Sequence, residues 1–205
     1  MLIIGLTGSI GMGKSTAAAR FRERGISVFD ADAEVHRLYD GPLVADIEGA
    51  FPGTVVAGKI DRATLSAQLL AEPRKLQQLE AIVHPKVRDS ERRFLHAEHA
   101  RGASMAILEV PLLLEAGGDA QVDVTIVVSA AREVQRQRVL ARPGMTEAKF
   151  EMVVARQLTE HEKRTRADFV VDTSGTVENC NSQIDRIITK LPALSATAFD
   201  CYWRD

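Results

Sequence analysis

The chain has 205 residues, 26 Lys and Arg against 28 Asp and Glu, a formal net charge of −2 and 45% hydrophobic residues. That apolar fraction excludes a disordered chain, and the length suffices to bury roughly 70% of the unfolded surface in one domain with a small insertion. Near-neutral charge argues against a dedicated nucleic-acid binder, and the two cysteines, Cys180 and Cys201, offer neither a disulfide framework nor metal-ligand spacing, as expected in a reducing, cytoplasmic setting.

Leu2 to Thr7 is a short apolar run ending in glycines, the pattern of a buried parallel strand. It is too short and lacks the basic flank of a signal peptide or membrane span. A helical pattern over 14–24 leads to a second strand at 26–29, closed by Asp30-Ala31-Asp32. In an open α/β sheet ligands bind at the carboxyl ends of strands, so Asp32 is expected to project from the loop toward a ligand while Asp30 caps the next helix. Residues 61–101 read as helix, with Pro73 near a helix start and His84-Pro85 expected to break or kink it. Leu76, Leu79, Ile82 and Val83 recur at helical spacing and read as core.

A third strand at 104–110 stops at Pro111, and Leu112-Leu113-Leu114 reads as the apolar start of a short helix. Residues 122–129 form a fourth strand, 131–141 a helix, 168–172 a fifth strand and 176–190 a last helix. Between the helix at 131–141 and the fifth strand lies a charged excursion, and from Ala193 on the chain shows no period and reads as a peripheral tail. Strand–helix alternation with crossovers of this length implies a parallel sheet covered on both faces.

Gly8-Ser9-Ile10-Gly11-Met12-Gly13-Lys14-Ser15 fits G-x-x-x-x-G-K-[ST] between a predicted strand and a predicted helix, the context the motif requires. Glycines let backbone N–H groups converge on phosphates, and the helix start adds partial positive charge. Lys14 reaches the β- and γ-phosphates, and the Ser15 hydroxyl can ligate Mg²⁺. Neither asparagine, Asn179 or Asn181, begins Asn-Lys-x-Asp, which weighs against a GTPase, and the length is small for a helicase or transporter engine. A small kinase acting on a small molecule remains, with another small-molecule or nucleoside monophosphate kinase, or a nucleotide-dependent switch, as alternatives.

From end to end the chain resembles the dephospho-CoA kinases. The resemblance rests on Gly5-Leu6-Thr7-Gly8 with Gly13-Lys14-Ser15-Thr16, Asp30-Ala31-Asp32 with Arg37, and Leu79-Glu80-Ala81-Ile82-Val83-His84-Pro85. It continues through Val110-Pro111-Leu112-Leu113-Leu114-Glu115, Gln135, Arg138, Arg142, Arg156-Gln157 and Ala167-Asp168. It implies a P-loop nucleoside-monophosphate-kinase-like fold: a five-stranded parallel sheet flanked by helices, with a core (about 1–32, 102–141 and 167–192), a helical substrate-binding region (about 33–101) and a lid (about 142–166). It implies ATP, with Gly11, Met12, Gly13, Lys14, Ser15 and Thr16 as its site and Mg²⁺ on Ser15 and Glu109, directly or through water. Dephospho-CoA would meet Asp32, His84 and Arg138. Asp32 is the implied base or orienting group for the ribose 3′-hydroxyl, and Lys14 and Arg142 its catalytic partners. No nucleic-acid or membrane partner is implied; the chain is expected to be a monomer or weak homo-oligomer. It departs from the family at Glu109, where Asp is usual, and at Leu114, where an aromatic is common.

Residues 131–166 hold nine basic and five acidic residues, so the near-neutral total conceals a positive segment. Arg138 and Arg142, four apart, share a helix face, and Pro143-Gly144 forms the expected hinge of the lid. Arg132 and Arg136 read as a solvated basic face paired with Glu133, and His36, His96, His99 and His161 as surface residues without a metal constellation.

Overall fold

The computed structural model describes residues 1–72 and 74–204; Pro73 lies outside the described residues. In chain order they form β1 (Leu2–Thr7), α1 (Lys14–Glu23), β2 (Ser27–Asp30), α2 (Ala31–Tyr39), α3 (Val44–Ala50), β3 (Val55–Val56) and β4 (Lys59–Ile60). There follow α4 (Arg62–Ala71), α5 (Arg74–Ala100), β5 (Met105–Glu109), β6 (Val124–Ser129), α6 (Arg132–Leu140), α7 (Glu147–Val154), α8 (Glu160–Arg166), β7 (Phe169–Asp172) and α9 (Val177–Ile188). The chain divides into two compact units, residues 1–29 with 95–205, and residues 30–94.

The first unit is built on a five-stranded sheet of order β2-β5-β1-β6-β7. Its pairings β1–β5, β1–β6 and β6–β7 are parallel. Every residue of β1 and β6 is buried, which is why both read as unbroken apolar runs rather than as alternating strands. Ala17, Ala18 and Phe21 of α1 and Cys180, Ile184 and Ile187 of α9 pack with Ile4, Leu6, Ile107, Ile126 and Val128 in one core. At the rim of these two helices, Arg20 and Arg24 converge on Asp185, and their guanidinium hydrogen bonds hold its carboxyl far below the usual range.

The second unit has its own core, in which Leu38, Ile47, Phe51, Leu65, Leu79 and Val83 meet. Leu79 and Val83 are core as the spacing predicts and Ile82 is half-buried, but Leu76 is exposed. The region is not wholly helical: Val55 pairs with Ile60 and Val56 with Lys59 around Ala57 and Gly58, both at positive φ (51° and 76°). Such two-residue turns match the twist of a hairpin, but Ala-Gly lacks the Asn or Asp that would announce one.

Three further expectations are corrected. Pro85 does not interrupt α5, which runs unbroken from Arg74 to Ala100. Pro85 and Ala81, whose carbonyl loses its helical donor there, both lie on the exposed face, where solvent replaces the missing bond. Residues 111–117 form turns rather than a helix, with Leu113 and Leu114 buried and Leu112 exposed. The carboxyl-terminal segment is no loose tail. Phe199–Trp203 forms a π-helical turn with Trp203 1% exposed, its indole N–H donating to the Gln121 carbonyl at 2.8 Å. His96 bonds the Trp203 carbonyl at 2.7 Å, and His99 stacks on Phe199 with ring centroids 4.4 Å apart. The Asp123 carboxylate accepts from the Ile3, Thr197 and Ala198 amides, tying this segment to the start of β1.

Removing so enclosed a side chain leaves a cavity and an unpaired carbonyl. Trp203→Ala should therefore lower the unfolding free energy by about 3–5 kcal/mol, measured by urea denaturation.

Candidate active site

The loop from Gly8 to Gly13 leaves the carboxyl end of β1 and enters α1 at Lys14. A Cβ at Gly8 would lie 2.5 Å from the Val128 carbonyl oxygen of β6, so a side chain there would push the loop off the sheet. Gly11 holds φ +76°, and a Cβ on it would meet Val139 Cγ2 at 2.5 Å. Gly13, the residue before α1, has φ 84° and no side chain to cap the helix, so the first amides of α1 are left to a ligand. Lys14 Nζ donates to the Gly8 carbonyl at 2.8 Å.

A cavity of about 300 Å³ opens beside this loop. Residues 11–16 form one wall, Arg138 and Arg142 a second, and Thr173 with Gly175 to Val177 a third. All six residues predicted for a nucleotide thus line one space, and both arginines join them. Gln135, Arg138 and Arg142 fall at i, i+3 and i+7, one face of α6 continued past its end.

The two arginines differ in how they are held. Arg138 donates to Thr173 Oγ1 at 3.0 Å and to the Thr173 carbonyl at 2.6 Å, a fork closed on the turn after β7. Arg142 lies exposed at the cavity edge, just before the turn in which Gly144 adopts φ +71°. Arg132 and Arg136 pair with Glu151 and Glu147 of α7, at 2.8 and 2.5 Å, rather than with Glu133. Arg166 pairs with Asp119, and Arg164 donates to Ser129 Oγ at 3.1 Å. Most of the positive segment is therefore spent on holding α6, α7 and α8 in place.

Glu109 ends β5, in register with Leu6 of β1, and is 6% exposed with Arg22 Nη2 at 3.9 Å. Ser15 is exposed in the first turn of α1 on the cavity wall. A hydroxyl and a carboxylate are hard oxygen donors that suit Mg²⁺, which takes few protein ligands and shares the rest with phosphates. Among the described residues no three His, Cys, Asp or Glu are grouped so as to hold a metal ion.

In the second unit Asp30 caps α2, its carboxylate accepting from the Ala33 amide at 2.9 Å. Asp32 stands in the first turn of α2, exposed, rather than in the preceding loop. His84 is exposed on α5. Glu34 pairs with Arg37 at 2.6 Å, and that bond, helped by Ser90 and the charge of Arg93 on α5, holds its carboxyl below the usual range.

The residue the sequence reading misses is Thr173. It is buried, its hydroxyl donates to the Met12 carbonyl at 2.8 Å, and its amide donates to the Ser129 carbonyl at 2.8 Å. Its place just beyond the carboxyl end of a parallel strand was the available signal. Residues 142–166 contain two helices, and the second carries a capping box, Thr159 with Glu162, that the sequence spells out.

Comparison with known proteins shows what the chain is similar to. A family model described as dephospho-CoA kinase matches residues 2–179. A dephospho-CoA kinase of Rhodopseudomonas palustris (strain BisB18) is 54% identical over 188 residues, which are 92% of this chain and 94% of that protein. A crystal structure from Thermus thermophilus superposes with a TM-score of 0.79 at 36% identity, covering 93% of this chain and 97% of that one. The dephospho-CoA kinase from Campylobacter jejuni shares the fold, with a TM-score of 0.70 at 22% identity over 93% of this chain and 97% of its own.

The positive φ of Gly11 and the crowding around it lead to one outcome. Gly11→Ala should weaken ATP binding by about 10-fold or more, the cost of a left-handed residue with a side chain, as measured by calorimetry.

Proposed function

The chain belongs to the dephospho-CoA kinase family, and from that premise we propose how its residues divide the reaction. It phosphorylates dephospho-CoA with ATP to give coenzyme A. The observation that carries the assignment of residues is the cavity on which residues 11–16, Arg138 and Arg142 converge. The triphosphate lies over the loop amides and the start of α1, with Lys14 moving from the Gly8 carbonyl to the β- and γ-phosphates. The nucleoside extends toward Gly175 to Val177. Arg138, already bonded to Thr173, serves as the fixed wall of this pocket rather than as a contact to the acceptor.

Transfer is direct and in line, without a phosphoenzyme. Asp32 orients the ribose 3′-hydroxyl or takes its proton, and His84 lies along the acceptor. Arg142, held by no such fork, closes over the phosphates with the segment that follows Pro143-Gly144 and helps exclude water. Ser15 and, directly or through water, Glu109 would hold Mg²⁺, which would supply neutralisation of phosphate charge. Arg22 Nη2 lies 3.9 Å from the Glu109 carboxylate, a charge of opposite sign set beside it. No helix of the described residues is long and apolar enough to cross a membrane.

Mass detection of a phosphate added to dephospho-CoA, with nucleoside monophosphates as competing acceptors, tests the assignment; transfer to the latter alone would overturn it. Asp32→Asn should lose turnover while still binding ATP, measured by parallel rate and binding assays. Arg142→Ala should lower kcat by roughly 10²-fold if the guanidinium stabilises charge on the transferring group. A rise in KM for ATP at unchanged kcat would assign it to nucleotide binding instead.

A further inference from the structure

The phosphate loop is gripped at four backbone atoms. Lys14 Nζ donates to the Gly8 carbonyl at 2.8 Å, Thr173 Oγ1 to the Met12 carbonyl at 2.8 Å and Gln135 Nε2 to the Ile10 carbonyl at 2.9 Å. The fourth grip has a different origin: the Ile10 amide donates to Gln157 Oε1 at 3.2 Å. Gln157 stands just beyond α7, in the connection to α8.

We propose that Gln157 is a positioning residue for phosphoryl transfer, whose carboxamide oxygen fixes the apex of the phosphate loop and couples its shape to the position of α7. A trans peptide points its N–H and C=O in opposite directions, so holding one end aims the other. With the Ile10 amide held by Gln157, the Ser9 carbonyl is turned the opposite way, where it accepts from the Met12 amide at 3.2 Å. With the Ile10 carbonyl held by buried Gln135, the amide of Gly11 is aimed away from α6, on the side of the cavity that Gly11 lines. The two glutamines thus orient the two peptide planes that flank Ile10.

Gln157 is placed to transmit a movement. Its own amide donates to the carbonyl of Val154, the last residue of α7, at 3.0 Å. The next amide, Leu158, is pinned to Glu115 Oε1 at 2.9 Å, and the fully buried Lys163 pairs with the same oxygen at 2.8 Å. Beyond Gln157 the chain is therefore bolted down. On the other side, the ion pairs joining α7 to α6 are exposed, and such pairs contribute little. A shift of α7 is absorbed at Gln157, next to the fixed point, and reaches Ile10 through one hydrogen bond.

The proposal rests on the kinase reading of this site, and the test separates the two. Gln157→Met keeps the length and removes the acceptor; Gln157→Glu keeps an acceptor oxygen. With dephospho-CoA and ATP, Gln157→Met should lower kcat about 10-fold, leave KM for dephospho-CoA within about 2-fold and raise the ATP consumed per coenzyme A formed. Gln157→Glu should recover kcat to within about 3-fold of the unmodified chain, because a carboxylate still accepts the Ile10 amide, whatever its effect on KM for ATP. Normal kcat and coupling in Gln157→Met, or equal loss in both variants, would overturn the proposal. Amide exchange at Ile10 in the unmodified chain gives an answer independent of any variant: protection is expected, and exchange at the rate of an open loop would also overturn it. Failure of the unmodified chain to phosphorylate dephospho-CoA would count against the kinase reading instead.

Discussion

The site depends on one buried hydroxyl. Thr173 links the Met12 carbonyl to the end of β7, and its amide bonds β6 at Ser129. A phosphate loop is almost all backbone, and backbone without side chains has little of its own to hold it in shape. Here the exposed amides can face a ligand because the carbonyls are taken up elsewhere, by Thr173, Gln135 and Lys14. The same Thr173 accepts Arg138, so the wall of the cavity and the loop beneath it share one anchor. Loop, sheet edge and helix α6 form a single hydrogen-bonded piece.

The charge distribution follows from that economy. A net charge of −2 gives no hint of a polyphosphate site, and the basic stretch at 131–166 suggests a broad cationic lid. In the folded chain its guanidiniums are divided among tasks. Arg132 and Arg136 brace α7, Arg164 and Arg166 fasten α8, and Arg138 closes on Thr173. Planar, multivalent donors suit such bracing better than lysine does, which gives the excess of Arg over Lys a structural use.

The segment after α6 is also less uniform than a lid drawn from sequence. Helix α8 is tied to the body by Lys163 with Glu115, by Arg164 with Ser129 and by Arg166 with the Leu114 carbonyl and Asp119. Helix α7 is held mainly by exposed ion pairs and by the buried ring of Phe150, over which the Arg132 guanidinium lies at 5.6 Å. Helix α7 is thus held by ion pairs in solvent and one buried ring, and α8 by contacts to the backbone and through a buried lysine.

Much of this protein was legible in its sequence because the signals are local. Short apolar runs bounded by glycines or turn residues read as buried strands, and the glycines before Lys14-Ser15 suit a backbone that approaches phosphates; both signals lie within a few residues of chain. Capping by Asp30 was equally local. What tertiary structure decided concerns partners far apart in the chain. Thr173 with Met12, Gln157 with Ile10, Lys163 with Glu115 and Trp203 with Gln121 and His96 join residues between 48 and 161 positions apart. No periodicity encodes such pairs. Pro85 in an unbroken helix and Ala57 at positive φ broke local preference because an exposed carbonyl can be solvated and a hairpin must turn. The sequence by itself determined the parallel sheet, the phosphate loop and the chemistry class; only the tertiary structure decided which side chains hold that loop in shape, because a hydrogen bond across the fold depends on where two elements meet and not on what either one is.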